Sequence, residues 1–472
     1  MQRRACTPAS AGVDGAAGAV ASCVIQPEAL RPCTFVGDVN TLLFDRPLVS
    51  VVRAGTLPDG TLSGDSSVAD ARMRVHSGAP FWLVSNGLAP ARPVLPGNTS
   101  CDVVVWGAGV TGALVADRLT QEGMDVVVLD RRESGAGSTA ASTALIQYDI
   151  DLELRALADR IGADNAALAY RRSADAVRTL ATTVSGLDDV EFHFRSSLYL
   201  ASTDRDARRL RRETDARAAI GLEVEWLDAD AVSSRYGFTS HGAIRSALAG
   251  EVDALAMTRA LLARAASRGA RWYEQTHVRG YEELPGGGVR VRTNVGATVD
   301  ARFAICATGY LLPSYFDLDV ATLHSTFALA TQRVGDFGAW DDGALVWESA
   351  RPYSYLRTTA DGRVLIGGED VPFKNAALRD RLLPAKIETI EGTLRRLVPS
   401  LATETAYSWT GTFAETDDGL PYIGSVPQYP GMLFALGYGG NGITFSVLAA
   451  EILSALCRGE TVESGDLYAM TR

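Results

Sequence analysis

The sequence predicts an α/β protein in which a parallel β-sheet with flanking helices is combined with a second, β-rich region. The apolar run CDVVVW (101–106) is followed by a helical stripe over 111–122 and then by DVVVLD (125–130). Short, continuous apolar runs of this kind are typical of strands buried in parallel sheets. Further along, residues 322–368 are rich in strand-forming residues and contain the hairpin YSYLRTT-ADG-RVLIGG. The fold class is therefore α/β locally and α+β over the whole chain.

The composition is that of a globular protein, with 472 residues, 47% of them hydrophobic and 21% charged. This length predicts two domains or one two-lobed unit. The net charge of −11 and the lack of basic runs give no reason to expect a nucleic-acid partner. No apolar run reaches the roughly 18 residues of a membrane span, so we expect no transmembrane segment. Six scattered cysteines without CxxC spacing predict a cytoplasmic protein with no metal site.

Residues 1–72 differ from the rest of the chain. They are rich in Ala, Gly, Ser and Asp, and they show no sustained period of 2 or 3.6 residues. No uninterrupted apolar stretch supports a secretory signal. We interpret the segment as a poorly ordered extension or as a mis-assigned start, with translation beginning at Met73. The scarcity of lysine (only Lys374 and Lys386) and the abundance of Ala, Gly and Asp suggest a GC-rich bacterial genome.

Periodicity predicts the remaining elements in chain order. Helical segments are expected over 151–183, 203–219 and 258–269 and from about Asn441, and strands over 191–202, 270–281, 288–295 and 301–309. We find no internal repeat with a period of 20–50 residues. Alternation of this kind, with a strand, a helix and a strand near the start, predicts an α/β pattern with parallel strands.

The strongest local motif is GAGVTG (107–112), which follows a strand, opens a helix and precedes a second strand. Gly107 permits the tight turn, Gly109 lets the backbone approach a pyrophosphate, and Gly112 lets helix and strand pack closely. The amides at the helix N-terminus then face the phosphates. Asp130 ends the second strand and can accept hydrogen bonds from an adenosine ribose, while its charge would repel the 2′-phosphate of NADP. The motif predicts a Rossmann-type dinucleotide site, but it does not distinguish FAD from NAD.

Three further segments carry a family resemblance. They are GSTAASTALIQYDID (137–151), AICATGY (304–310), and GTFAETDDGLPYIG (411–424) followed by GYGGNGITFS (437–446). With the GAGVTG motif, and in unbroken order over about residues 85–460, they resemble the D-amino-acid oxidase and glycine oxidase family of flavoproteins. The resemblance implies FAD as the cofactor, on a Rossmann-type domain that is interleaved with a β-sheet substrate domain.

The resemblance also implies which residues bind FAD. A hydroxyl-rich loop would hold the pyrophosphate and ribityl chain, and a glycine turn before the last helix would point an N-terminus at the flavin pyrimidine ring. That N-terminus would stabilise the negative charge of the reduced flavin. The predicted cofactor-binding residues are Gly107, Gly109, Val110, Thr111, Gly112, Asp130, Arg131, Ser138, Thr139, Ser142, Thr143, Val278, Ala307, Thr308, Gly309, Gly439, Gly440, Asn441, Gly442, Ile443 and Thr444.

The same resemblance implies how the chain is divided between two domains. The FAD-binding domain would take about residues 98–186, 243–312 and 408–472. The substrate domain would take residues 187–242 and 313–407, as a β-sheet that covers the flavin.

In this family a small amine or amino acid passes a hydride to flavin N5, so the resemblance implies that activity. The arginine that relatives place before the Asp-Gly-x-Pro motif, and that would bind a substrate carboxylate, is missing from WTGTFAE (409–415). Strand alternation places Arg357 on one face with Tyr355, which makes both candidates for substrate binding; the alternative is a solvent-facing arginine. Gln147 and Tyr148 are further candidates beside the flavin, and no catalytic acid or base is assigned.

Two other functions stay open at this point. One is an NAD-dependent dehydrogenase, which leaves the Ala-Thr-Gly and C-terminal glycine segments unexplained. The other is a flavin-binding subunit of a larger redox complex, which the missing arginine favours. The identity of the amine, the electron acceptor and the oligomeric state are also open.

Overall fold

The computed structural model describes residues 74–87, 89–318, 320–340, 342–401 and 403–472. The predictions made for residues 1–72 lie outside these described residues. The described strands form an eight-stranded and a ten-stranded sheet. No helix in this part of the chain combines the length and apolarity that a membrane span requires.

The eight-stranded sheet is built around five parallel strands. In chain order these are Thr99–Trp106, Val126–Leu129, Arg271–Tyr273, Thr298–Cys306 and Met432–Leu436. They lie side by side in the order third, second, first, fourth, fifth, which is the doubly wound arrangement. The order reverses between the first and fourth strands, and ligands bind at such reversal points, beyond the carboxyl ends of the strands. Antiparallel strands complete the sheet at Tyr422–Ser425, Val278–Glu283 and Val289–Thr293.

Helices cover the parallel strands. The helix Val110–Gln121 packs against Ala254–Ser267 and against the last long helix, Gly442–Cys457. The last helix is apolar around almost its whole circumference and is correspondingly buried on nearly every side. At the contact between the first and last of these helices, the hydroxyls of Thr111 and Ser446 share a hydrogen bond of 2.8 Å. The helix predicted from about Asn441 is therefore a core element.

The ten-stranded sheet is mostly antiparallel. Its strands lie in the order Ser77–Gly78, Thr405–Glu415, Thr322–Thr331, Val364–Pro372, Ser354–Thr358, Leu345–Glu348, His193–Leu200, Ala243–Glu251 and Leu145–Gln147, with Val224–Leu227 also paired to Ala243–Glu251. The predicted hairpin is present, with Ser354–Thr358 antiparallel to Val364–Pro372.

The borders of the sheets differ from the predicted domain borders. The strands Leu145–Gln147 and Ala243–Glu251 belong to the ten-stranded sheet, although both lie in segments predicted for the FAD-binding domain. The strand Thr405–Glu415 crosses the predicted border at residue 408 and pairs along its length with Thr322–Thr331. The chain therefore passes between the sheets within continuous segments, and the division into two domains stays a prediction.

The remaining helices are Phe81–Asn86, Ser138–Ala141, Leu154–Ile161, Ala163–Val184, Asp204–Ala219, Ala229–Tyr236 and Ala376–Leu397. The last of these has 22 residues and was not predicted. It contains Pro384, which weakens its helical pattern in the sequence. Its Asn375 cap accepts a hydrogen bond of 2.8 Å from the amide of Leu378, and its buried residues pack on the ten-stranded sheet.

Candidate active site

One continuous cavity of about 280 Å³ is lined by residues of both sheets. The next cavity among the described residues has about 20 Å³, which is room for one or two water molecules. The larger cavity therefore has the size of a ligand site. All predicted cofactor-binding residues lie on its lining except Gly112 and Thr444.

The GAGVTG turn lies at the point where the strand order reverses. A Cβ atom on Gly107, whose φ is +109°, would be 2.4 Å from the carbonyl oxygen of Ala307. The turns that follow the first and fourth parallel strands are thus in direct contact. A Cβ atom on Gly112 would be 1.8 Å from the oxygen of Gly107. Glycine at 112 lets the helix pack on the turn, which explains why this residue lies behind the cavity lining.

Asp130 lies on the lining at the end of the neighbouring strand. Its carboxylate accepts hydrogen bonds from the amides of Ala108 (2.7 Å) and Arg132 (2.8 Å). Burial raises the pKa of Asp130, and these two amides offset part of that effect. The backbone therefore fixes the carboxylate beside the glycine turn, where an acid that binds a ribose is required.

The hydroxyl-rich loop is attached to the start of the first long helix. The hydroxyl of Thr139 accepts a hydrogen bond of 3.0 Å from the amide of Val110. A Cβ atom on Gly109 would come within 3.2 Å of the same hydroxyl. The indole of Trp82 donates to the carbonyl of Ser142 at 2.7 Å and so fixes the far end of the loop. The loop thereby forms one wall of the cavity beside the helix N-terminus.

The second glycine turn closes the other side of the cavity. Gly439 has a φ of +55°, and a Cβ atom there would be 2.3 Å from Oδ2 of Asp151. That oxygen accepts a hydrogen bond of 3.0 Å from the amide of Gly440, and the Tyr310 hydroxyl donates to the Gly439 carbonyl at 2.8 Å. Thr444 lies behind the lining, because its hydroxyl donates to the Gln147 carbonyl at 2.8 Å. This bond ties the last helix to the ten-stranded sheet.

The four candidate substrate-binding residues have different positions. Gln147 and Tyr355 lie on the lining, and the side-chain nitrogen of Gln147 has no partner among the described residues. Tyr148 lies behind the lining, where its hydroxyl shares a hydrogen bond of 2.8 Å with Ser246. Burial raises the pKa of Tyr148 to about 12. This tyrosine therefore has a packing position.

The structure corrects both interpretations of Arg357, since the residue is neither solvent-facing nor on the cavity lining. Its guanidinium is buried and donates to the carbonyl of Ala144 at 2.8 Å. It also lies 3.4 Å from Glu251 and 5.6 Å from the ring of Trp82. Strand alternation does place Arg357 on the same face of the strand as Tyr355. It lies two residues further along the strand, however, where the backbone at Ala144 covers it. The guanidinium of Arg357 is therefore paired inside the protein and does not face a substrate.

The ten-stranded sheet covers the remaining end of the cavity with a group of residues that we call the aromatic chamber. It is lined by Thr326, Trp347, Tyr353, Tyr355, Asp370 and Phe413. A Cβ atom on Gly367, in the neighbouring strand, would be only 2.6 Å from the ring of Tyr355. Glycine at this position therefore leaves room for the ring. Neighbouring rings in the chamber have centroids 5.7 to 6.5 Å apart.

Sequence reasoning missed five charged residues on the lining: Arg132, Asp149, Asp151, Arg351 and Asp370. The guanidinium of Arg351 lies 5.1 Å from the ring of Tyr353 and donates a hydrogen bond of 3.1 Å to the carbonyl of Ala350. Burial raises the pKa of Asp151 to about 6 and that of Asp370 to about 7. For Asp151, the position at the end of the hydroxyl-rich segment 137–151 was an available signal. Arg351 follows the strand Leu345–Glu348 and Asp370 lies within the strand Val364–Pro372, and neither position carried a signal.

Comparison with known proteins gives the family. The profile of the FAD dependent oxidoreductase family, DAO, matches residues 102–456. The chain belongs to the DAO family. It is 26% identical over 375 residues to a glycine oxidase of Bacillus licheniformis, which covers 77% of this chain and 94% of that protein. It is 25% identical over 412 residues to gamma-glutamylputrescine oxidoreductase of Escherichia coli, with 84% of this chain and 92% of that protein covered.

The fold of this DAO-family chain is also that of solved structures. Glycine oxidase from Geobacillus kaustophilus superposes with a TM-score of 0.65 at 22% identity, over 77% of this chain and 96% of that one. The predicted family and fold class are confirmed, and the protein is an FAD-dependent oxidoreductase. The prediction of an NAD-dependent dehydrogenase, which was the alternative enzyme, is not supported.

The residues on the lining fit FAD. Gly309 has a φ of +66°, and a Cβ atom there would meet nothing within 4 Å, so the backbone is open to a ligand that lies against it. The buried amide nitrogen of Gln147 lacks a partner within the described part of the chain, as expected of a donor reserved for a ligand. No group of His, Cys, Asp or Glu among the described residues could hold a metal ion.

Proposed function

We propose that this protein oxidises a small amine or amino acid at the carbon that bears the nitrogen. The observation that carries the proposal is the course of the cavity, which runs from the GAGVTG turn past Gly439 into the aromatic chamber. A site for the cofactor alone would not need that chamber. Relatives that are named for glycine and for gamma-glutamylputrescine support a nitrogen-bearing substrate.

We assign the cofactor site from the same course. The amides of the helix Val110–Gln121 and the loop around Thr139 would hold the pyrophosphate, and Asp130 would bind the ribose. The turn at 439–442 would place the N-terminus of the last helix at the flavin ring, where it stabilises the negative charge of the reduced form. When bound there, FAD supplies the oxidising chemistry by accepting a hydride.

The chain's own contribution is to hold and desolvate the substrate. The rings of Trp347, Tyr353 and Tyr355 give the chamber a wall that excludes water, and the nitrogen that reacts must be bound there in its neutral form. Only the neutral amine has the lone pair that drives hydride loss from its carbon. Fixing the substrate in one orientation under the sheet would account for a large part of the rate.

We propose Arg351, instead of Arg357, as the residue that binds a substrate carboxylate. It lies on the cavity lining, where its guanidinium donates a hydrogen bond of 3.1 Å to the carbonyl of Ala350. A guanidinium in this position could form a bidentate pair with the carboxylate of an amino acid. A chamber with this residue supports an enzyme that binds its own substrate, which is why we prefer this function to that of a flavin-binding subunit.

We also propose that the protein acts in the cytoplasm. The three cysteines within the described residues, Cys101, Cys306 and Cys457, are free, and the last two are buried. Free thiols of this kind fit a reducing compartment. The protein has a small-molecule substrate in this proposal, and its oligomeric state is not assigned.

An anaerobic titration of the purified flavoprotein tests the proposed function. Pairs of amino acids and hydroxy acids with the same carbon skeleton, and simple amines, would be added in turn. We expect at least one amine or amino acid to abolish the visible absorption band of the flavin, while its oxygen counterpart leaves the band unchanged. The proposal fails if no nitrogen compound of the panel reduces a flavin that dithionite reduces readily, or if the hydroxy acids do so.

A further inference from the structure

The aromatic chamber carries more negative than positive charge. Asp151 and Asp370 lie on the cavity lining, and the carboxylate of Glu415 is close enough to raise the pKa of both. The positive charge on this part of the lining is that of Arg351. Lys386, whose charge lowers the pKa of Asp370, forms an ion pair with Glu369 at 2.9 Å. His324 lies 3.3 Å from Glu415, but burial lowers its pKa, which favours its neutral form.

The two carboxylates are joined by a continuous wall of hydroxyl groups and rings. A Cβ atom on Gly440 would lie 3.2 Å from Oδ1 of Asp151 and 3.1 Å from the hydroxyl of Tyr353. The ring of Tyr353 is 5.7 Å from that of Tyr355, whose hydroxyl is 3.2 Å from the hydroxyl of Thr326. The Thr326 hydroxyl is in turn a neighbour of Asp370 and lowers its pKa. Both acids therefore face the same part of the cavity.

Two independent features show that this place is prepared for a ligand. Oδ1 of Asp370 is buried and has no hydrogen-bond partner among the described residues, and such an acceptor can be satisfied by an ammonium N–H. Leaving such groups unpaired is costly, so a partner from outside the protein is expected. The second feature is the wall of aromatic rings, because the faces of Trp and Tyr attract cations.

We propose that the chamber binds a second, positively charged nitrogen of the substrate between Asp151 and Asp370. The substrate class is therefore a diamine, or an amino acid with a basic side chain. The inference rests on the proposed amine oxidation, which it makes more specific. It assigns the acids to a nitrogen other than the reacting one, because a carboxylate contact would keep the reacting nitrogen protonated and without its lone pair.

The electrostatics of the acids agree with this assignment. Burial, and then repulsion from Glu415, raise the pKa of Asp151 to about 6 and that of Asp370 to about 7, while Arg351 and Lys386 act in the opposite sense on one acid each. At pH 8 both carboxylates are ionised and close to each other in a place with little solvent. A bound ammonium removes this repulsion, so its affinity should fall as the pH is lowered through 7 and 6.

A binding experiment without turnover tests the charge preference. Choline and its uncharged carbon analogue, 3,3-dimethylbutan-1-ol, would be titrated into the oxidised, FAD-loaded protein at pH 8, with the shift of the flavin spectrum as readout. We expect choline to bind about ten- to hundredfold more tightly. Asp370→Asn should remove most of this preference, and Asp151→Asn is a second variant should the first fail to fold. The matched control is Asp175→Asn, an exposed acid on the helix Ala163–Val184.

A kinetic experiment tests the substrate class. The concentration dependence of anaerobic flavin reduction would be compared for an α,ω-diamine and the monoamine of the same chain length. We expect half-saturation at about a tenfold lower concentration for the diamine, and no such difference in Asp370→Asn.

The outcomes separate this inference from the proposed function. Equal affinity for choline and its analogue, or a preference that survives in both variants, overturns the cation site even if amines reduce the flavin. A clear choline preference in a protein that no amine reduces would leave the cation site standing and remove amine oxidation.

Discussion

At the scale of single residues, the cofactor site depends on glycine positions at which a side chain does not fit. Gly109 has an extended backbone that any residue can adopt. Glycine is needed there because of the limited space around its Cα atom, not because of its backbone angles. A Cβ atom there would meet Thr139 at 3.2 Å and would project toward the pyrophosphate position. Gly439 differs, since its positive φ and its contact with Asp151 both exclude a side chain.

We predict that Gly109→Val abolishes FAD retention. The branched side chain would occupy the space where phosphate meets backbone, while the fold itself can accommodate valine at this φ. The flavin content of the purified variant, measured by its visible absorption, checks this. Gly97→Val is the control, because a Cβ atom at Gly97 meets nothing within 4 Å. A yellow Gly109→Val protein would contradict the assignment of the turn.

We predict that Asp370→Asn stabilises the cofactor-free protein at high pH. In the unfolded chain this acid ionises near pH 4, whereas in the folded protein its pKa is about 7. The folded state therefore holds a proton that the unfolded state releases between pH 4 and 7, and stability falls as the pH rises through that range. The variant escapes this loss, which amounts to about 2–4 kcal/mol above pH 7.

Thermal unfolding at pH 5 and pH 8 measures this effect. The variant's gain in Tm should be clearly larger at pH 8 than at pH 5, and Asp175→Asn should show no such dependence. A variant that is equally or less stable than the wild type at pH 8 would show that Asp370 is not held in an unfavourable ionised state.

The sequence predicted these glycines but not these acids, and the reason is physical. A glycine turn between a strand and a helix has a local cause, so GAGVTG and the 439–442 turn can be recognised from the residues around them. The burial of Asp151 and Asp370 depends on strands that are distant in the chain. Arg357 shows the same limit, because alternation gave its face correctly but not the residues that cover it.

At the scale of elements, the segment from Gln147 to Asp151 links the cofactor site to the chamber. Arg217 holds this segment in place. Its guanidinium is fully buried, with Nε 2.9 Å from Oε1 of Glu213. Arg217 also forms an ion pair with Asp149, and the carbonyl of Asp149 accepts a hydrogen bond from the side chain of Asn441. The helix Asp204–Ala219 is thereby linked, through Arg217 and Asp149, to the second glycine turn.

We predict that Arg217→Met destabilises the protein by about 3–5 kcal/mol, since it leaves two buried carboxylates without their cation. FAD retention should fall as well, because the segment that carries Asp149 loses its support. Denaturant unfolding and flavin content measure the two effects. Arg178→Met, which removes an exposed ion pair with Asp175, is the control and should change stability by less than about 1 kcal/mol. Loss of stability no larger than in the control would contradict this role.

Elements were predictable where their periodicity was strong. The helices around 111–122 and after Asn441 were found, and so were four of the five parallel strands, because each is apolar in a pattern that one period describes. The fifth parallel strand, Met432–Leu436, was not predicted. The helix Ala376–Leu397 was not, since Pro384 interrupts it and its stability comes from the sheet beneath it. The pairing of Ala243–Glu251 with His193–Leu200 was also missed, because the partner of a strand is not encoded in its own residues.

At the scale of the whole molecule, residues of both sheets line one cavity, and the chain passes between the two sheets several times. All described residues on the cavity lining lie between Val75 and Ile443. We therefore predict that a chain beginning at Met73 binds FAD with the same stoichiometry and affinity as the full chain. Expression of both forms and measurement of flavin content test this prediction. An insoluble or colourless shorter protein would show that residues 1–72 are required.

We propose that two distant glycine turns, at 107–112 and 439–442, bind opposite ends of one FAD molecule. Calorimetric titration of the cofactor-free protein with FAD, FMN and ADP tests this, because FMN and ADP each fill only one end. We expect one FAD per chain, bound at least a hundredfold more tightly than either part. FMN binding as tight as FAD binding, or no uptake of FAD by a correctly folded protein, would contradict the account.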